Sequence, residues 1–362
     1  MNLASLVDRQ LIVHFSSEHG LFCSRDHSLY EYHYASGKRK FICELPAKPG
    51  GLLSVIKHKI ARSSIRQWFK PHLGIEHLVV TTKQNLVMVY DQIYIYSNST
   101  AGRYANVCKL QGLTSFAGPL RGGMALHPGS DMVYFGEYLN NHQSDIRVLR
   151  IDSQQHVATV CWAFPRSDIK HIHAISYDPY RNRLWITTGD ADHESALYYT
   201  DDEFQTVHKF AGGDQSWRAI SLLFFPDAIE WGMDAGKDAP AKAINHIYRY
   251  EFASQQRVQV ATIGNPAYAA VQCADGGAFL ATTYEPGRLQ DTPEQAALWY
   301  RSPDGHWQQV LALDYRDSQM PTVSRYGMLY LPAGTVPAKQ LLFTTLNCSQ
   351  HHLACYSLNC NS

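Results

Sequence analysis

The sequence lacks any apolar run near the roughly 18 consecutive residues of a membrane helix, which sets aside a helical membrane span. It lacks a surplus of either charge: Lys plus Arg and Asp plus Glu number 32 each. Binders of nucleic acid or of anionic membrane surfaces depend on surplus positive charge, so neither partner is expected. The opening stretch, MNLASLVDRQLIVHF, has no basic segment followed by a clean apolar core. No secretory signal is read from it, and a cytoplasmic location is expected, with export left open. None of the eight cysteines forms a CxxC pair, which fits small buried residues in a reducing compartment. No HExxH zinc motif and no GKS/T phosphate loop occurs. Apolar patterns of helical period are scarce.

Short alternating apolar runs fill the chain instead, broken by Gly, Pro, Asn and Asp, which is an all-β pattern. The runs recur in groups of four. One group reads HIHAISYD, NRLWITTGD, SALYYTDD and FQTVHKFAG; the next reads SWRAISLLFFPD, AIEWGMD, NHIYRYEFAS and RVQVATIG. Groups open near residues 122, 171, 217 and 268. A period of roughly 45 to 50 residues is close to that of a propeller blade. Two further groups fit the N-terminal part and one fits 321–358. The expectation is a single β-propeller domain over residues 1–362, with seven four-stranded antiparallel blades. A basic stretch at about 50–75 stands between the first two as an insertion.

Two third-to-fourth strand turns, YRSPDGHWQQV and YYTDDEFQTV, resemble the Asp-box or BNR turn of the sialidase-like propeller superfamily. SPDGHW is one residue short of the usual spacing. The sialidase arginine triad, its Tyr/Glu nucleophile pair and its FRIP-type motif are not recognisable here. The resemblance therefore implies a fold, and the Asp box implies no chemistry.

Propeller geometry carries the functional reading. Residues that open a first strand should converge with those that close a second strand, around the central channel. First-strand openings supply Arg121, His171, His173, Trp217 and Arg218. Loops after second strands supply Glu137, His142, Asp190, His193, Glu194, Asp234, Tyr284 and Glu285. His171 and His173 are two apart on a strand, so both side chains point one way. They can ligate a divalent metal, with a third ligand from His142, His193, Asp190 or Glu137. They can equally supply a general base, or line the channel and bond to backbone. Arg218 can clasp a substrate carboxylate or form an ion pair with Asp190 or Asp234. Trp217 can stack a sugar or pack between blades. Glu137, Asp190, Asp234 and Glu285 recur at one point of four successive groups. Paired carboxylates suit glycoside hydrolysis, and a repeated structural turn gives the same pattern.

His171, His173 and Arg218 are also the kinds of residue that line the site in polysaccharide-lyase propellers, the ulvan-lyase and oligogalacturonate-lyase families, which this chain resembles by residue type. That resemblance implies a carbohydrate-active propeller cleaving an acidic, uronate-containing glycan. For elimination, Arg218 or a metal neutralises the carboxylate, His171 or His173 takes the proton, and Tyr284 or Tyr138 serves the leaving oxygen. For hydrolysis, Glu137 and Asp190 act as the pair. Arg121, His142, His193, Glu194, Trp217, Asp234 and Glu285 are expected to bind substrate. The alternative is a non-catalytic propeller that binds a glycan or a protein in surface-polysaccharide metabolism.

Overall fold

The computed structural model describes residues 4–17, 19–46, 74–97, 102–140, 144–317, 324–338, 340–348 and 353–359. His142 and the expected insertion, as far as residue 73, lie outside them. Among the described residues there is no α-helix, and no helix is long and apolar enough to cross a membrane.

The strands stack as β-propeller sheets. In the sheet most relevant to function, His171–Asp178, Arg183–Gly189, Ala196–Thr200 and His208–Gly212 pair antiparallel in chain order. The next sheet repeats the plan with Leu223–Phe224, Ala228–Gly232, Asn245–Glu251 and Gln256–Gly264. A third, Met124–His127 to Val157–Phe164, gains a fifth strand when Lys109–Leu110 adds in parallel. A fourth runs from His77–Val80 to Asn106–Val107. In the fifth, Ser5–Arg9 from the start of the chain pairs with Ala354–Asn359 near its end. That pairing ties the two ends of the chain into one sheet.

The expectation of seven separate four-stranded blades is overturned. Five sheets stand as discrete blades, and the remaining strands form one continuous nine-stranded sheet. The joining strand is Ala333–Val336. It pairs in parallel with Ile12–Ser16 on one side and with Ala267–Cys273 on the other, by two residue pairs each. Gly334 makes this possible. Its φ is +85°, and a Cβ there would lie 2.2 Å from the Ser16 carbonyl oxygen. Such a short parallel bridge leaves no periodic trace in the sequence.

The cores lie between successive sheets. Trp185 and Leu197 pack against Ala219, Phe224 and Trp231 of the next sheet. Two second strands end on glycines because the neighbouring sheet comes too close for a side chain. A Cβ on Gly136 would sit 2.4 Å from Ile172, and one on Gly232 would sit 2.3 Å from the Ala267 methyl.

Glu230 binds two sheets electrostatically. It is 2% exposed and accepts from Arg249 Nη1 (2.7 Å), Arg301 Nε (3.0 Å) and Trp307 Nε1 (2.9 Å). Breaking a buried pair strands the remaining charge. Glu230→Ala should therefore lower unfolding free energy by about 3–5 kcal/mol, read from chemical denaturation. A loss below about 1 kcal/mol would show that the two arginines find other partners.

Candidate functional site

A polar cavity of about 530 Å³ opens at one end of the channel. It is lined by His173, Asp190, Arg218, Asp234, Arg121 and Glu285 among the expected residues. Lys170, Lys237, Asp238, Glu76, His77, Tyr138, Tyr268, Tyr326 and Tyr330 complete its polar wall.

Backbone irregularity aims the key side chains. The ladder between His171–Asp178 and Arg183–Gly189 shifts register between Ile172 and Ala174, leaving His173 as the extra residue of a bulge. The freed backbone is repaired locally, since the Ala174 N–H donates to Thr187 Oγ1 at 3.1 Å. The same shift occurs between Ala267 and Ala269, at Tyr268, and between Val13 and Phe15, at His14. All three bulged residues line channel cavities. Bulges re-aim side chains in this way beside functional sites.

The two histidines are 0% and 2% exposed. His171 Nδ1 lies 2.9 Å from the Leu139 carbonyl, and His173 Nδ1 lies 3.0 Å from the Ala219 carbonyl. A carbonyl only accepts, so each ring must carry its proton on Nδ1. Both Nε2 atoms then present lone pairs. They stand 3.1 Å apart, at 3.3 and 3.5 Å from Asp190 Oδ1. Three acceptors thus converge, and two lone pairs at that separation repel unless a cation lies among them. Burial holds His173 down, to about 4, so a proton is a poor choice of cation there.

A metal ion fits the donor set. Bonds of about 2.0–2.2 Å space ligand atoms about 3–3.5 Å apart, close to the spacing found. The three ligand atoms lie within 4.8 Å of one another, and this is the one such cluster among the described residues. The backbone carbonyls behind each ring are the outer partners that metal-binding histidines use.

Asp190 is clamped from every side. Lys170 Nζ holds Oδ2 at 2.8 Å and Arg218 Nη2 holds Oδ1 at 2.9 Å. Gln215 donates to its carbonyl oxygen, and Glu194 accepts from the backbone N–H groups of Asp190 and Ala191. Burial alone would raise the Asp190 carboxyl. The Arg218 charge opposes it, and the group is held well below the usual carboxylate range. Gly189 lets the parts meet: a Cβ there would lie 2.7 Å from His173 Cε1 and 3.0 Å from Arg218 Cγ.

Arg218 already has carboxylate partners. Besides Asp190 it meets Asp238 at 3.0 Å and Asp234 at 3.4 Å, with its side chain 7% exposed. Burial opposes its charge, but Asp234, Asp190 and Asp238 hold it protonated. This is the inter-sheet ion pair, not a free clasp for a ligand. Asp234 is different. Burial pushes its carboxyl well above the usual range, against the pull of Arg218, and its Oδ1 has no hydrogen-bond partner.

Several expected residues are placed elsewhere. Glu137 is buried in a bidentate pair with Arg147, at 2.6 and 2.7 Å, and accepts from the Ala117 N–H. It does not line the cavity, so the Glu137–Asp190 pair does not assemble there. Tyr284 donates to Glu294 at 2.8 Å and also stays outside the cavity wall. Trp217 stacks on Trp231 at 5.2 Å with Arg257 above it, as inter-sheet packing. His193 is exposed on the loop, and Glu194 braces that loop from beneath. Lys237, Asp238, Glu76, His77 and Tyr326 were not anticipated. Asp238 follows Asp234 in GMDAGKD, and that doubled acid was the available signal.

No protein-family model and no curated protein sequence matches the chain. Its fold is similar to that of an oligogalacturonate lyase solved in complex with manganese, with a TM-score of 0.59 and 13% identity, over 98% of this chain and 91% of that one. An oligogalacturonate lyase from Vibrio parahaemolyticus gives 0.60 at 10% identity, over 99% and 93%. The extracellular domain of a one-component system from B. thetaiotaomicron gives 0.53 at 13% identity; this chain spans 40% of that protein's length. These likenesses show a β-propeller fold shared with carbohydrate-active proteins.

Arg218→Ala should leave Asp190 and Asp234 facing each other across an uncompensated site. Unfolding free energy should fall by about 3–5 kcal/mol in chemical denaturation. An unchanged denaturation midpoint would contradict the ion-pair role.

Proposed function

We propose that this chain is a metal-dependent carbohydrate-active propeller that cleaves an acidic, uronate-containing oligosaccharide by elimination. The convergence of His171 Nε2, His173 Nε2 and Asp190 Oδ1 carries the reading, His173 and Asp190 lining the channel cavity and His171 lying buried behind them. The charge balance of that cavity supports it. Four carboxylates line it besides the buried Asp234, namely Glu76, Asp190, Asp238 and Glu285, against four cationic side chains, Arg121, Lys170, Arg218 and Lys237. A polyanion would gain little there without a further cation. The fold likeness to oligogalacturonate lyases, one of them solved with manganese, points the same way.

His171, His173 and Asp190 would hold the ion. When bound, the ion supplies positive charge that makes a proton beside a uronate carboxylate more acidic. Elimination breaks the C5–H and C4–O bonds and forms the C4–C5 double bond. Burial favours the protonated form of Asp234, which can give its proton to the departing oxygen. Glu285, from a neighbouring loop, faces the cavity and can accept the C5 proton. His173 is then a ligand and not the base, and Tyr284 takes no part. The sialidase-like turns contribute only local structure: Ser302 donates to Asp304, and Thr200 donates to Asp202 at 2.8 Å, away from the cavity.

The non-catalytic reading is favoured by one observation, the saturation of Arg218, which removes a ready carboxylate clasp. Incubation with oligogalacturonate and manganese separates the two. Elimination produces a new unsaturated chromophore in the ultraviolet, abolished by EDTA and by Asp234→Asn, with the latter still binding substrate. Binding without new absorbance, at any manganese concentration, would favour the non-catalytic propeller.

A further inference from the structure

A second polar cluster sits deeper in the channel, apart from the histidine–Asp190 group. Arg121 precedes the strand Met124–His127 and lines both the large cavity and a second one of about 360 Å³ at the other end. Between them lies a void of about 20 Å³, lined by His14, Glu76, His77 and Arg121 with apolar neighbours. Arg121 is therefore the waist of the channel.

Its guanidinium lies 4.1 Å from the centre of the Tyr330 ring. Among the described residues no carboxylate comes within ion-pair distance of it, and its buried Nη2 has no hydrogen-bond partner. His14 and His77 are 5% and 7% exposed, and the Nδ1 atom of each is likewise without a partner. His14 uses its other nitrogen on Ser24 Oγ at 2.7 Å. That of His77 is 3.9 Å from Glu76 Oε2, at the edge of contact. Buried polar groups are normally satisfied, and a buried guanidinium nitrogen without a partner is a costly exception, although Tyr330 and the Glu76 charge support the cation here. Here one guanidinium N–H and two imidazole nitrogens surround one small void.

The void has room for about one water-sized group, enough for one oxygen of a carboxylate whose other atoms lie in the large cavity, which Arg121 and His77 also line. Glu76 borders the void too, but its side chain is 46% exposed and within reach of solvent. A planar guanidinium flanked by two imidazoles that can donate therefore selects an anion, and its fork suits a carboxylate. The apolar neighbours Leu78, Val79, Met124 and Leu331 exclude a large hydrated ion. Both imidazoles are kept neutral by burial, His77 down to about 3, so they would serve as hydrogen-bond donors rather than as charges.

We propose that Arg121, His14 and His77 form an anion-binding waist in the channel that takes one carboxylate group. The inference does not rest on metal binding or cleavage at the histidine–Asp190 group. The carboxylate can be a free small anion or the end of a molecule seated in the large cavity.

Calorimetric titration of the full chain with formate, in EDTA and at constant ionic strength, tests it. Saturable binding at one site is expected, weakened at least about tenfold in Arg121→Gln, the loss of one charge-assisted pair. The His171→Ala, His173→Ala double variant should bind formate as the parent does. If Arg121→Gln fails to fold, Arg121→Lys keeps the charge and loses the fork, and should also weaken binding. Absence of saturable binding, or equal binding by the Arg121 variants, would overturn the site. Galacturonate then separates the sources: competition with formate that depends on Arg121 supports the waist as the seat of a larger molecule's carboxylate. Formate binding without that competition supports it as a site for a free anion.

Discussion

Burying a carboxylate costs free energy unless hydrogen bonds and opposite charge replace the water it loses. Asp190 meets that condition through Lys170 and Arg218, and the site depends on it. The carboxylate joins the His171–Asp178 strand to Arg218 on the next sheet, fixing where the histidines can turn. Because both rings already give their Nδ1 protons to backbone carbonyls, their Nε2 lone pairs have one place to go. A strong preference for a cation follows from these hydrogen bonds alone.

The same clamp divides the channel by chemistry. Around Asp190 the acids dominate, and Arg218 is consumed in holding three of them together. At the waist the order reverses, and Arg121 has polar neighbours but no paired acid among the described residues. One channel therefore offers a cation seat and an anion seat, separated by aromatic and aliphatic wall. That polarity suits an elongated acidic molecule better than a neutral one.

The sequence made the all-β repeat legible because each strand pair buries alternate residues and ends on a turn. It also made the shared face legible: Asp190, Asp234 and Glu285 follow second strands, and His173, Arg218 and Tyr268 lie in or beside first strands, and all six reach one cavity. Glu137 has the same sequence position and does not reach it, because Arg147, on the adjoining strand, draws it aside. Ladder bulges were invisible, since one extra residue does not disturb an apolar pattern. The number of separate blades was misread for a related reason: four residues of Ala333–Val336, pairing in parallel on both sides, merge two strand groups into one sheet. The sequence leaves Arg218 open as a ligand clasp or as a partner of Asp190 or Asp234; the structure pairs it with both and adds Asp238 from the loop that carries Asp234, and Arg121 gives no sequence hint of its setting.

The most direct test of the cation seat is a calorimetric manganese titration of the metal-stripped chain beside its His171→Ala, His173→Ala variant. The arrangement of Nε2 and Oδ1 atoms predicts one ion per chain in the parent and none in the variant, with both folded by circular dichroism. No binding by the parent, or the same binding by both, would contradict it.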